Sequence, residues 1–218
     1  MSESVQKAPA RPRGRPRAYD PESALARATR SFWRGGFAGT SLDELCDAMD
    51  MNRPSLYGAF GDKRELYLAT LDRYVALSRA DMVAALASEA TLAKALLRVY
   101  ERALALYFAD ANAPLGCFLI GTAATEAARD PEVRKRLGPG LRALTQTFEA
   151  RFRAAKKSRE IGSTSDPKLL ADMAAAVLFS LALRARAGDP RAQLAKFSRS
   201  AVTLLCGARA RSSSARNG

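Results

Sequence analysis

From Pro21 onward no stretch of this chain alternates apolar and polar residues over a useful length. A strand with one buried face needs that period of two, whereas a helix repeats near 3.6. Ala and Leu are abundant, Val and Ile are scarce, and Gly, Pro, Asp and Ser fall at intervals suited to helix ends. The chain therefore reads as all-α, with about nine helices. They are expected over 22–34, 42–49, 53–60, 63–87, 91–109, 115–128, 131–157, 166–187 and 190–207, with Gly138-Pro139-Gly140 as a break or kink inside the seventh.

Composition removes several chemistries. There is no His among the 218 residues, so His-ligated zinc, imidazole general bases and Ser-His or Cys-His nucleophile pairs are excluded. No paired carboxylates at convincing spacing and no phosphate-cradling Gly loop take their place, so no enzyme activity and no cofactor are expected. Cys46, Cys117 and Cys206 fit neither a metal motif nor a disulfide framework and read as small apolar residues in a reducing compartment. The polar, Arg- and Pro-rich N-terminus is no signal peptide, and the longest nearly apolar run, Met173–Leu183, is too short to span a bilayer. A cytoplasmic protein without a membrane partner is expected.

Residues 41–60 are the informative part. Ser41 and Glu44 have capping-box spacing at the start of one helix, Asp50-Met51-Asn52 makes a tight turn, and Asn52 caps a second, short helix. Helix, turn and short helix make a helix-turn-helix, whose second helix enters the major groove of double-stranded DNA. Its leading side chains are Arg53, Pro54, Ser55 and Tyr57. Arg53 suits a bidentate pair with guanine, and Ser55 suits several bases or a phosphate. Lys63, at the start of the next helix, suits a phosphate.

The stretch Gly36-Phe37-x-x-Thr40-Ser41, then Leu45, then Leu56-Tyr57-x-x-Phe60-Gly61-Asp62-Lys63-x-x-Leu66 resembles the N-terminal domain of the TetR family of transcriptional regulators. The resemblance implies phosphate contacts at Thr40, Tyr57 and Lys63 and base reading at Arg53, Pro54 and Ser55. It departs from the family pattern at Asp50, where Gly is common, at Pro54, where a small or polar residue is common, and at Ala59, where His is frequent. The domains implied are a basic arm (1–20), a helix-turn-helix domain (21–66) leading into a long linking helix (63–87), a ligand-binding and dimerisation bundle (67–207) and a frayed tail (208–218). The expected function is a repressor that binds a palindromic operator as a homodimer and is released by a small-molecule effector.

The arm carries Arg11-Pro12-Arg13-Gly14-Arg15-Pro16-Arg17, which resembles an AT-hook. Arg13, Arg15 and Arg17 would seek the negative potential of a narrow minor groove, with Gly14 allowing close approach. The net charge of +13 is unevenly spread: residues 20–64 hold six Lys or Arg against seven Asp or Glu, while residues 1–19 hold five against one. An alternative follows from the arm: an architectural protein that binds DNA with little sequence preference.

The C-terminal half is less explicit. Leu194, Phe197, Ala201 and Leu204 follow a 3-4-3 seam, and Leu170, Met173, Val177 and Leu181 form a stripe on a helix apolar nearly all round. Both are expected at a dimer interface. Phe108, Cys117, Phe118, Thr122, Thr125, Glu126, Phe148 and Phe152, with Tyr107 and Phe179 beside them, supply aromatic and small polar groups for a pocket that takes a partly apolar effector.

Overall fold

A computed structural model describes residues 20–110 and 113–207. Arg13, Arg15 and Arg17, the arm and the tail after residue 207 lie outside these residues. The described residues form nine α-helices and no strand. They are α1 (Pro21–Gly35), α2 (Leu42–Met49), α3 (Arg53–Phe60), α4 (Lys63–Ala87), α5 (Leu92–Tyr107), α6 (Ala124–Glu126), α7 (Pro131–Lys157), α8 (Pro167–Arg186) and α9 (Arg191–Cys206).

Helix starts follow the capping chemistry. Asp20 accepts from the backbone of Ser23 at 3.0 Å, and Asn52 accepts from Ser55 N–H at 2.9 Å. Ser41 with Glu44, and Asp62 with Glu65, form complete capping boxes. Each satisfies two backbone donors that a helix end leaves orphaned. The α2–α3 turn is a Schellman motif: Met51 N–H donates to Cys46 O at 3.0 Å and Asp50 N–H to Asp47 O at 3.3 Å. Asp50 takes φ 54°, ψ 49° to close it.

Two expectations change. The segment expected as one helix over 115–128 is not one. Residues 113–117 run irregularly, a π-helical turn occupies Leu119–Ala123, and α6 adds one short turn. Tertiary contact overrides propensity here. Leu115 O accepts from Trp33 Nε1 at 3.2 Å and from Arg186 Nη1 at 3.2 Å, so it is unavailable to a helical ladder. Gly116 stands at φ 64°, with the space a Cβ would take filled by Ala182 O of α8. Nor does the Gly-Pro-Gly triplet break α7, which continues through Pro139. Gly140 is buried where a Cβ would lie 2.8 Å from Val75 Cγ2, so the glycine sets how closely α7 approaches α4.

Packing joins the parts into one core. In α1, Ala28 and Phe32 face α2 and α4, and Leu45, Met49, Leu56 and Leu66 close the small N-terminal cluster. Behind them α4 packs on α5 and α7, α7 on α8, and α9 on α5 and α8. Among the described residues no helix is long and apolar enough to cross a membrane.

The left-handed residue at the turn gives a direct test. Asp50→Gly removes the Cβ penalty at that backbone angle and should stabilise the protein by up to about 1 kcal/mol. Asp50→Val should destabilise it, with both effects read from thermal or urea unfolding.

Candidate nucleic-acid interface and internal cavity

Helix α3 buries one side chain, Leu56, and presents the rest of its leading turn to solvent. Arg53, Pro54 and Ser55 are exposed, and Tyr57 is 47% exposed. The structure thus brings these four onto one surface, as the sequence implies. Arg53 is held by Asp43 of α2 in a forked ion pair, with Nε donating at 3.0 Å and Nη2 at 2.8 Å. Both side chains are exposed, so the pair orients Arg53 more than it stabilises the fold.

The remaining two expected contacts differ from each other. Lys63 lies beside α3 at the start of α4, its Nζ 4.5 Å from the centre of the Phe37 ring, so its stem is packed while its charge stays near the surface. Thr40 is buried, and its hydroxyl donates to Gly36 O at 2.7 Å. Its side chain therefore holds the turn before α2, and the expected phosphate contact by that side chain is corrected.

Polar ties connect this head to the body. Arg64 donates to both carboxylate oxygens of Asp130, the N-cap of α7, at 2.6 and 2.7 Å. That contact holds the Asp130 carboxyl down at about 2. Arg34 meets Asp110 at 2.6 Å, and Arg186 of α8 reaches Trp33 O at 3.4 Å. Trp33, Tyr67 and Tyr74 pack edge-on or tilted around Phe118, with ring centres 5.6 to 6.1 Å from it.

Between α1, α4, α5 and α8 lies a cavity of about 650 Å³. Of the expected pocket residues, Cys117, Tyr107 and Phe179 line it. Phe118, Phe148 and Phe152 are wholly buried core. The Thr122 hydroxyl donates to Phe118 O at 2.7 Å, and Thr125, Glu126 and Phe108 lie away from the lining. Tyr74 donates to Cys117 Sγ at 3.4 Å, and burial pushes both groups up in pKa. The sequence reading missed Thr29, Arg30 and Trp33 of α1 and Arg73, Tyr74 and Asp81 of α4. A signal existed: Ala26, Thr29, Arg30 and Trp33 repeat as i, i+3, i+4, i+7, a second α1 face beside the one that carries Ala28 and Phe32.

The dimer stripes also shift. Leu181, Leu194 and Ala201 are buried within the protomer, and Leu170, Val177 and Phe197 are half-buried. Phe197 lies under the Arg184 guanidinium, 5.1 Å from the ring centre. The outward face of α8 carries Met173 of the expected stripe together with Leu169, Ala176 and Leu183, at spacing 4-3-7, with Leu183 59% exposed. On α9, Leu204 is 78% exposed. An all-round apolar helix carries an inner and an outer stripe, and the sequence alone does not say which is which.

A family model described as bacterial regulatory proteins, tetR family, matches residues 24–70. A second, described as Tetracyclin repressor-like, C-terminal domain, matches residues 93–201. The HTH-type transcriptional repressor ComR of Escherichia coli K12 is 31% identical over 194 residues, covering 88% of this chain and 90% of ComR. BdcR, an HTH-type transcriptional repressor of the same organism, is 32% identical over 116 residues, covering 53% of this chain and 58% of BdcR. Among solved structures, a cysteine-substituted TetR family regulator CifR in complex with a 26-base-pair operator DNA superposes with TM-score 0.78 at 29% identity, covering 87% of this chain and 98% of that one.

Asp130 supplies a pH test. Its pKa is lower folded than unfolded, so its stabilising contribution is complete above about pH 4 and is lost as pH falls toward 2. Unfolding measured from pH 5 to pH 2 should show a shallower decline for Asp130→Asn than for the parent chain.

Proposed function

The chain belongs to the TetR family of bacterial regulatory proteins, and from that premise we propose that it is a homodimeric repressor whose hold on a palindromic operator is relieved by a small molecule in the cavity. The observation that carries the proposal is the capped helix-turn-helix whose α3 buries only Leu56 and leaves Arg53, Pro54, Ser55 and Tyr57 on the surface.

The division of labour follows. Residues 21–66 read DNA, with α3 in the major groove. Arg53 and Ser55 face base edges, Pro54 limits which bases fit, and Tyr57 and Lys63 face phosphates. Since residues 20–64 are nearly neutral, the arm with Arg13, Arg15 and Arg17 supplies the general electrostatic grip. Two copies join through the outward faces of α8 and α9, which would otherwise leave Leu183 and Leu204 in water. Two-fold pairing sets the reading heads about 34–36 Å apart, one turn of DNA.

Release is a question of which conformation the ligand prefers. The cavity is walled on one side by α1 of the head and on the other by α4, α5 and α8 of the body. An occupant that favours a displaced α1 changes the separation of the two α3 helices and weakens binding to both half-sites together.

Selection of binding sites from random DNA tests the reading: an inverted repeat should emerge, and the proposal fails if none does at physiological salt. Arg53→Ala should lower affinity for the selected site by about 1–3 kcal/mol and relax preference at one base position. Lys63→Ala should weaken binding to every sequence and reduce its salt dependence. Leu183→Glu, on the outer α8 stripe, should yield monomers in sedimentation with the helical content intact, whereas Leu181→Glu should unfold the chain.

A further inference from the structure

The cavity is asymmetric in chemistry. Its walls include Trp33, Tyr74, Met82, Val99 and Leu178, all buried and apolar or aromatic. Its charged residues are Arg30, Arg73, Arg102 and Asp81, from three helices, so three positive charges face one negative. Arg30, Asp81 and Arg102 are exposed and Arg73 is half-buried, which puts the charge at the solvent edge and the apolar surface within.

The partners of these groups decide what charge the site prefers. Asp81 is already paired with Arg102. Arg73 is paired at 2.6 Å with Glu22, which lies outside the lining and is largely exposed. Arg30 has no ion pair among the described residues. A cation entering this space meets excess positive charge and an aspartate already neutralised. A neutral apolar molecule fills the interior and leaves the arginines to water. A molecule with an apolar body and one carboxylate does both jobs: the body covers Trp33 and its neighbours, and the carboxylate accepts forked hydrogen bonds from Arg30 and from Arg73 in place of Glu22.

We infer that the cavity takes an amphipathic carboxylate, an apolar chain or ring system with one anionic head held by Arg30 and Arg73. This rests on the reading of the cavity as the effector site and specifies its ligand class. The same two arginines couple the cavity to the head. Arg30 lies on α1 and Arg73 ties α4 to the first turn of α1 through Glu22. A carboxylate that draws Arg73 away from Glu22 loosens α1 from α4 at the base of the reading head.

Trp33 is the single Trp of the chain and lines the cavity, so its fluorescence reports occupancy. The test titrates the full chain at neutral pH with decanoate, decanol and decylamine. Decanoate should change Trp33 emission saturably at least about tenfold more tightly than decanol, with decylamine weakest. Arg30→Gln combined with Arg73→Gln should reduce decanoate to the decanol level and leave decanol unchanged. Arg30→Gln alone, on an exposed residue, gives a partial loss and serves if the double variant does not fold. Equal binding of decanoate and decanol, tighter decylamine, or no response of Trp33 to any of the three overturns the inference. Operator release by the same compounds separates it from the broader reading. Decanoate that binds as expected without releasing DNA keeps the ligand class and refutes it as effector, while release by decanol but not decanoate keeps the effector site and refutes the class.

Discussion

Phe118 is the point at which the two ends of the molecule meet. It is fully buried, and the rings of Trp33 from α1 and Tyr67 and Tyr74 from α4 close around it. Each such pair contributes about 0.5–1.5 kcal/mol beyond the area it buries, and edge-on geometry fixes orientation as well as distance. Without that cluster α1 would be held by α2, α4 and a few surface ion pairs, and its angle to the bundle would be loose. The Tyr67 hydroxyl is buried there beside the Thr122 side chain, and burial pushes it up to about 12.

What the sequence told and what it withheld divide along physical lines. Local chemistry was legible. Ser41 with Glu44, Asn52 and Asp62 are short-range capping signals, and each marks a helix start where it was expected. The exposed leading turn of α3 follows from its place as the second helix of a helix-turn-helix. Long-range chemistry was not legible. Gly116 could not be understood without Ala182 O lying across from it, and Gly140 could not be told from a helix breaker without Val75. Phe118, Phe148 and Phe152 looked like pocket material because aromatic content does not reveal which ring faces a void. The expected α8 stripe mixes the two faces, Leu181 pointing inward and Met173 outward, since inner and outer surfaces are equally apolar until α7 and α9 are in place.

Charge is used sparingly around the DNA-facing surface. The head is close to neutral, and three of its arginines, Arg34, Arg53 and Arg64, are committed to carboxylates at Asp110, Asp43 and Asp130. Those on Arg34 and Arg64 anchor the head to the body, whereas the pair on Arg53 lies wholly on the surface. Ion pairs of this kind define positions at little cost in energy, and they separate residues that hold the head from residues that meet a partner.

Arg186 sits near the end of α8 and donates to Trp33 O and Leu115 O, at the root of α1. One helix therefore carries the outer apolar stripe along its length and touches the reading head at its end. If two copies associate through that stripe, thermodynamic reciprocity has a consequence for concentration. Whatever factor dimerisation adds to operator affinity, the operator must add to subunit affinity. At low copy number the DNA itself would then assemble the protein, and occupancy would rise with the square of monomer concentration rather than in proportion to it.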